Sequence, residues 1–325
     1  MSAGLFSQLG AANEVTYGTR VVPDHFVEFR SETFSLDQRY FISQQLGASS
    51  TFARSSRRVA TTRSGSGALT FEVPNKGFGF WLNLLHSATV TPVQQAATAA
   101  YLQTHPIGLT SPSRSATIQV GKPSTDGTVR PFDYLGCMPT SAGFSWDVDE
   151  ALVCSMEFDV QDESTAQTLA TRSLPTNLRS FVFTQGSMQI AGANVADVTS
   201  GSLSVSLPRQ TDFYPLGTTG LKSKPLQNQI SAGSGTATVR FSDLTHYNRY
   251  RNNTIPTLKL EFIGPVIAST YYETITLMCN AVGFTGETPT VDGPDTLDHA
   301  IPFDILFDGT NAPLIASYTS TDVAI

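Results

Sequence analysis

The chain has 325 residues, of which 14% are charged, and its formal net charge is −7. This length suggests two domains, and a hydrophobic content of 40% excludes a chain that is disordered throughout. The negative balance argues against a protein that grips duplex DNA, which would need a basic face. Such a low fraction of charged residues is typical of a β-rich protein whose surface is partly covered by neighbouring molecules. Ordinary drift in composition would give the same fraction.

The N-terminal residues lack the basic region and apolar core of a signal peptide, so residues 1–25 are predicted to be an N-terminal arm. No apolar run approaches the ~20 residues of a membrane-spanning helix, and no membrane contact is expected. Three scattered cysteines do not make a disulfide framework, so Cys137, Cys154 and Cys279 are predicted to be reduced and buried. We expect the protein to assemble in a cytoplasm.

Alternating apolar and polar residues predict strands along most of the chain. The clearest examples are SATIQVGK at 115–122, SGSLSVSLPR at 200–209, TLKLEFIGP at 257–265 and ETITLMCNAVGF at 273–284. Helical patterns are few. Short helices are predicted over 76–88, over the Ala-rich segment 92–103, and over 243–253 with Asp243 as its cap.

One segment of the chain recurs later in a similar form. SGSGALTFEV at 64–73 returns as AGSGTATVRF 168 residues later, and each Gly-Ser-Gly is interpreted as a turn. Three further blocks match in the same order: 31–40 with 200–209, 136–145 with 276–285, and 156–162 with 303–309. The matches predict a first β domain at 26–161, a linker at 162–180 and a second β domain at 181–325. The alternative is that unrelated strands rich in Gly and Ser look alike.

The sequence predicts neither catalysis nor a bound cofactor. Its five histidines are scattered without the spacing of a zinc site, so no metal is expected. The acidic cluster WDVDE at 146–150 is best explained as a solvated strand face. A basic run lies on a Ser/Thr-rich loop and is interpreted as a solvated loop or a subunit contact rather than a phosphate site; its members are Arg54, Arg57, Arg58 and Arg63.

Several segments together resemble the tail tube proteins of bacteriophages with long, non-contractile tails. They include NEVTYGT at 13–19, GFGFWLNLL at 77–85, GFSWDVDEALVCSMEF at 143–158 and SGTATVRFSDLTHYNRY at 234–250. The resemblance implies a mainly β fold with two tandem tube-like β-sandwich or barrel domains, each with a short packing helix. It also implies a structural virion protein whose inner strands join across subunits around a channel for DNA.

Tube rings of this family typically contain six tube domains, so the resemblance implies that three chains with two domains each complete a ring. The alternative is a ring of six chains. Three chains carry 3 × (−7) = −21 charges, a sign that lets DNA slide without specific binding. The predicted lumen-facing residues are Glu32, Glu157, Asp159 and Asp304, and the arginine-rich loop is the candidate subunit contact. Stacked rings, a tape-measure protein and a tail terminator are the implied partners.

Two other functions stay open at this point. A β-rich adhesin or decoration protein that binds a receptor or a glycan would expose clustered aromatic residues, and Tyr271-Tyr272 is the obvious pair. A hydrolase on a β scaffold would need a convergent acid pair, for which the sequence gives no signal.

Overall fold

The computed structural model describes residues 4–46, 50–86, 88–286, 288–289, 291, 293 and 297–325. The described chain is mainly β, with two antiparallel sheets and two short helices, which confirms the expected fold class.

The first sheet contains thirteen strands. They are β1 (Gln8–Asn13), β2 (His25–Val27), β3 (Ser31–Glu32), β4 (Ser35–Ile42), β5 (Arg58–Glu72), β8 (Ala116–Pro123), β9 (Val129–Asp147), β10 (Val153–Val160), β11 (Asp162–Ser164), β14 (Val198–Ser206), β15 (Ala232–Arg240), β18 (Val282–Phe284) and β19 (Asp298–Ile305). The second sheet contains seven, in the order β13-β12-β16-β17-β20-β7-β6. They are β6 (Val93–Gln94), β7 (Tyr101–Ile107), β12 (Gly186–Ile190), β13 (Ala193–Asn194), β16 (Leu258–Ala268), β17 (Tyr271–Cys279) and β20 (Leu314–Ser320).

The main path of the first sheet runs β3-β5-β10-β9-β14-β15-β19-β18, and β4 continues the edge that β3 begins on β5. The long strand β9 pairs with different strands along its two parts. Its first part pairs with β8 and β11, and its last part pairs with β10 and β14. The β9–β14 pairing makes one continuous sheet from both halves of the chain.

The two Gly-Ser-Gly segments are not turns, as the sequence suggested, but lie inside β5 and β15. Gly67 is paired with Phe158, and Gly235 is paired with Phe303. A Cβ on Gly67 would lie 2.2 Å from the Phe34 ring, and a Cβ on Gly235 would lie 2.4 Å from the Phe303 ring. The glycines are therefore needed because a buried phenylalanine occupies the space that a side chain would take.

Strand order repeats within the first sheet. The series β4-β5-β10-β9 is followed by β14-β15-β19-β18, and the chain runs through equivalent strands in the same order, from β4 to β5 and β9 to β10, and from β14 to β15 and β18 to β19. Even the serine pairs recur, because Ser35 lies opposite Ser66 and Ser204 lies opposite Ser234. The limits proposed for two domains stay a prediction, and β6 and β7 from the first half pair into the second sheet.

The structural register corrects two of the sequence matches. Val160 and Ile305 both lie opposite the first glycine of their Gly-Ser-Gly, which aligns β10 with β19 at an offset of 145 rather than 147. The match of Gly143-Phe144 with Gly283-Phe284 is out of register. Phe144 lies opposite Cys154, whereas Phe284 lies opposite Phe303, the counterpart of Phe158.

Helix α1 (Phe78–Leu84) is buried along its whole length between the two sheets. Its Phe78 ring contacts Phe71 and Phe144 of the first sheet and Tyr318 of the second. The helix lies in the core between the two sheets, which explains why its sequence is apolar except at Asn83.

Helix α2 (Thr245–Arg251) begins after Asp243, whose Oδ1 accepts the Thr245 backbone N–H at 2.7 Å, and none of its residues is buried. The helix predicted over 92–103 is wrong, because this segment turns and forms β6 and β7. Ala96 and Ala97 have φ values of 45° and 56°, and β7 pairs along its length with β20. Tertiary pairing has overridden the helix propensity of alanine.

Parts of the predicted N-terminal arm and of the predicted linker are strands of the first sheet. Within residues 1–25, β1 lies between β2 and β8, and its Leu9 and Ala11 are buried. The predicted linker 162–180 begins as β11, which pairs with β9. The three cysteines are buried and unpaired, as expected.

Two buried histidines lie at the junction between α1 and β7. His86 Nε2 is 3.1 Å from His105 Nδ1, and His105 Nε2 is 3.3 Å from Gln103 Oε1. Burial lowers the pKa of His86 to about 4, helped by Arg114, and lowers that of His105 to about 3, helped by His86. Both rings are therefore neutral at pH 7.

We predict that Phe78→Ala lowers the free energy of unfolding by about 3–5 kcal/mol, because it opens a cavity where both sheets meet α1. Urea denaturation followed by tryptophan fluorescence would measure the change. Phe6→Ala, at a residue that is 64% exposed, is the matched control and should shift the midpoint little.

We also predict that stability falls as the pH drops from 7 to 5. The unfolded histidines take up protons near pH 6.5, whereas the folded ones do not, so acid favours the unfolded chain. Thermal melts across this range would measure the fall. The double variant His86→Gln/His105→Gln should flatten the dependence, and an unchanged slope would contradict the assignment.

Candidate functional site

One face of the first sheet is covered by small hydroxyl side chains. Side chains alternate along each strand, so one set packs into the core while the other points away from it. We call the outward set the polar face. Its hydroxyl members, on five adjacent strands, include Ser66, Thr70, Ser141, Ser145, Ser155, Ser200, Ser202, Ser204, Ser206, Ser234, Thr236 and Thr238.

The hydroxyl groups lie in rows that cross the sheet. Thr70 Oγ1 is 3.3 Å from Ser155 Oγ on the neighbouring strand, and Ser204 Oγ is 3.3 Å from Ser234 Oγ. A concavity of about 560 Å³ lies over the part of the face that β9, β14 and β15 form. Small hydroxyl side chains therefore line much of this concave part of the face.

Carboxylates are distributed over the same face, at Glu72, Asp147, Glu157, Asp298 and Asp304. Ser141 Oγ donates to Glu157 at 2.9 Å. Arg240 lies opposite Asp298, and Arg30 contacts Glu72 at 3.0 Å. A hydrogen bond from Ser180 lowers the pKa of Glu72, and Arg30 adds to the effect.

The four acids predicted to face a lumen fall into two groups in the structure, two that are exposed and two that are not. Glu157 and Asp304 are exposed on the polar face. Glu32 instead contacts Lys122 at 3.1 Å with a side chain that is 16% exposed, and Asp159 is buried against Lys222. Asp159 lies on the same side of β10 as Glu157 but beneath Lys222, whereas Glu32 lies opposite the buried Leu69. That the four acids face a lumen stays a prediction.

Lys222 lies in the connection between β14 and β15, residues 207–231, which we call the β14–β15 loop. Its side chain brings this loop into contact with Asp159. The Lys222 side chain is 1% exposed and that of Asp159 is 7% exposed. The loop also bonds through the carbonyls of Lys222 and Gly220, which accept from Gln161 Nε2 at 2.8 Å and from the Arg63 N–H at 3.0 Å. It therefore covers one end of β5 and β10.

The corresponding connection in the first half is the β4–β5 arm, residues 36–63, and it carries all four predicted arginines. Arg57 Nη1 donates to the Gln45 carbonyl at 3.1 Å, and the Arg58 guanidinium lies 3.4 Å from the centre of the Tyr40 ring. At its base Arg63 contacts Asp162 at 3.0 Å. Arg54 lies just before the turn at Ser55–Arg57.

Large apolar side chains on this arm face solvent. The exposed large apolar residues in the described part of the arm are Tyr40, Phe41, Ile42, Leu46, Phe52 and Val59. At this end of the first sheet β4 pairs with β5, and at the other end β18 pairs with β19, as far as the described residues go. Open strand edges and exposed apolar groups on one molecule are features of a surface that another copy covers.

Sequence reasoning missed the partners that shape this site. The serine alternation at 200–206 was used to predict a strand, but not to predict a hydroxyl-covered face. Lys222 and Arg209 gave no signal, because each stands alone in a loop, yet Arg209 Nε donates to the Pro139 carbonyl at 2.9 Å from a buried position.

The described residues do not contain a group of three or more His, Cys, Asp or Glu side chains placed to hold a metal ion. In the same part of the chain, no helix has the length and apolar character needed to span a bilayer.

The extended β-sheet, its hydroxyl-covered face and its open edges define a β-structural protein built for assembly. Residues 4–305 match the model of a family described as phage tail tube protein. A search of curated proteins finds no match. The family model covers nearly the whole chain, so this chain belongs to the phage tail tube protein family and is a structural component of a virion tail.

We predict that Lys222→Met lowers the free energy of unfolding by about 3–5 kcal/mol, because Asp159 is then buried without a partner. Thermal unfolding would measure the loss. The double variant Asp159→Leu/Lys222→Met should recover most of it. Equal losses in both variants would show that packing of the lysine chain, rather than its charge, holds the loop.

Proposed function

We propose that three copies of this chain close into a ring, that rings stack into a tube, and that genome DNA passes through the lumen without specific binding. The single observation behind the proposal is the continuous sheet with one small, polar, acidic face. In the ring this face lines the channel, with Glu157 and Asp147 among its charges.

The number of strands supports three chains. The main path of the first sheet has eight strands, so three chains bring twenty-four. At about 4.8 Å between strands, twenty-four untilted strands close at a backbone diameter of roughly 37 Å, and tilting widens it. Side chains and a hydrated DNA duplex fit within that width. The eight strands of one chain would close at roughly 12 Å, too narrow for a duplex.

The repeated strand order supports the same number. Because β4-β5-β10-β9 and β14-β15-β19-β18 follow one another in a single sheet, a chain supplies two similar units of the wall. A ring of three chains then has six such units. Closing the sheet pairs the outer edges of β4 and β18 across each subunit boundary and leaves no strand edge exposed.

The chemistry of the polar face suits DNA passage. Carboxylates repel the phosphate backbone, and hydroxyl groups keep water at the wall. Basic side chains would instead hold the duplex through counterion release. The net charge of −7 per chain is negative, like the charge of these carboxylates.

Other parts of the assembly follow from the proposed tube. Stacking contacts between rings, a tape-measure protein inside the lumen, a terminator at the end and assembly in the host cytoplasm belong to the same proposal. The adhesin alternative has weaker support. Tyr271 and Tyr272 lie in the paired β16–β17 hairpin, where Tyr272 is opposite Val266, rather than on a cluster of exposed loops.

We predict that the purified chain forms rings or tubes with a central channel and three chains per ring, visible by cryo-electron microscopy. We expect wild-type tubes not to retain duplex DNA. Tubes of Asp147→Lys/Glu157→Lys should bind it with an affinity that falls steeply with salt, because these changes place positive charge in the lumen.

The control variant is Asp24→Lys/Asp126→Lys, which makes the same charge change at exposed positions away from the polar face. It should bind less DNA than the lumen variant at each salt concentration. Purified protein that stays a compact monomer, or tubes whose channel is lined by another face, would overturn the proposed function.

A further inference from the structure

A groove of about 1040 Å³ lies at the end of β15 and β19. Leu306, Phe307 and Leu109 line it, together with Ile230, which is 92% exposed. Asp304 is its acidic group. Such a group of apolar side chains at the surface indicates that something else covers it.

The repeated strand order shows what lies at the same place in the first half. Val160 and Ile305 each lie opposite the first glycine of a Gly-Ser-Gly, so Asp159 corresponds to Asp304 and Gln161 to Leu306. At Asp159 and Gln161 the position is filled. The β14–β15 loop covers it through the Asp159–Lys222 ion pair and the hydrogen bond from Gln161 to the Lys222 carbonyl.

The β4–β5 arm is the counterpart of the loop that does the covering. Lys222 precedes Gly233 by eleven residues, and Arg54 precedes Gly65 by eleven residues, so the two basic residues occupy the same place in their connections. Between the paired serines, the first half has 30 residues, from 36 to 65, and the second half has 29, from 205 to 233. A basic side chain and an acid are therefore present in both repeats, at Lys222 with Asp159 and at Arg54 with Asp304.

Each connection also matches in polarity the site that it covers, or would cover. The β14–β15 loop accepts hydrogen bonds from Gln161 and from the Arg63 N–H, and Arg63 also pairs with Asp162, so the site that the loop covers is polar. The groove replaces these three residues by Leu306, Phe307 and Ser231, and the arm carries exposed apolar residues, including Phe52, which lies two residues before Arg54. An apolar arm fits an apolar groove, and each connection would be poorly matched to the other site.

We propose that the β4–β5 arm of one chain docks in this groove on the neighbouring chain of the ring, with Arg54 of the arm contacting Asp304 of the groove. The inference rests on the proposed ring. Each boundary between chains then repeats the boundary between the halves of one chain. The mismatch between the two sites prevents an arm from displacing the β14–β15 loop, so chains join in one order only.

The proposal assigns Asp304 a role different from lining the lumen. Asp159, its counterpart, is covered by the loop that carries Lys222. In the ring, Asp304 is covered in the same way by the arm. Its exposure in the single chain is then the exposure of an interface residue before assembly.

Charge reversal tests the contact. We expect Arg54→Glu and Asp304→Arg each to raise the protein concentration needed for ring formation by about tenfold or more, since like charges meet at every boundary. The double variant Arg54→Glu/Asp304→Arg restores an opposite pair and should return to within about threefold of wild type. Sedimentation and electron microscopy measure assembly, and thermal melts show that each variant folds.

Arg172→Glu is the matched control, because Arg172 and Glu28 form an exposed pair at 3.1 Å elsewhere on the surface. It should assemble like wild type. If the single reversals assemble normally while wild type forms rings, docking is overturned and the tube function stands. Failure of the double variant to recover would also overturn the contact. If wild type forms no rings, the proposed function itself fails.

Cross-linking separates contacts within a ring from contacts between rings. In the variant Phe52→Cys/Leu306→Cys, a short bismaleimide should link each arm to the next groove and give a product that stops at three chains. The native cysteines are buried and do not compete. A ladder that continues beyond three chains would show that arms reach another ring and would overturn docking within the ring.

Discussion

The pairing of β9 with β14 is the interaction on which the rest of the molecule depends. Seven residue pairs, from Ser200 with Asp147 to Ser206 with Ser141, join strands from the two halves of the chain into one sheet. This pairing aligns the serine rows of both halves on one face and places their phenylalanines on the other. It also brings the β14–β15 loop over the end of β10, where Lys222 meets Asp159.

Much of this fold could be predicted from the sequence, because it is encoded locally. Alternation along 200–206 gave both the strand and its buried Leu203 and Val205. The repeated Gly-Ser-Gly located two equivalent strands, although their glycines serve the packing of Phe34 and Phe303 rather than a turn. The Ala-rich segment near 92–103 misled the prediction, because its pairing with β20 joins residues about two hundred positions apart and leaves no local pattern.

The candidate site was less predictable for the same reason. The alternation of side chains along a strand decides which acids point away from the core. A loop from the other half of the chain then decides which of these acids are covered. Glu157 and Asp159 have the same parity on β10, yet only the second lies under the β14–β15 loop, so their exposures differ. A single sequence records the parity but not the path of a loop that starts about fifty residues later.

Among the described residues the β6–β7 hairpin occurs once, although the strand series of the first sheet occurs twice. In a three-chain ring the wall around the channel would repeat every sixty degrees, whereas this hairpin would recur every one hundred and twenty. The tube would then present a nearly uniform bore to its cargo and, on its exterior, three ridges that a binding partner could use to distinguish one angular position from the next.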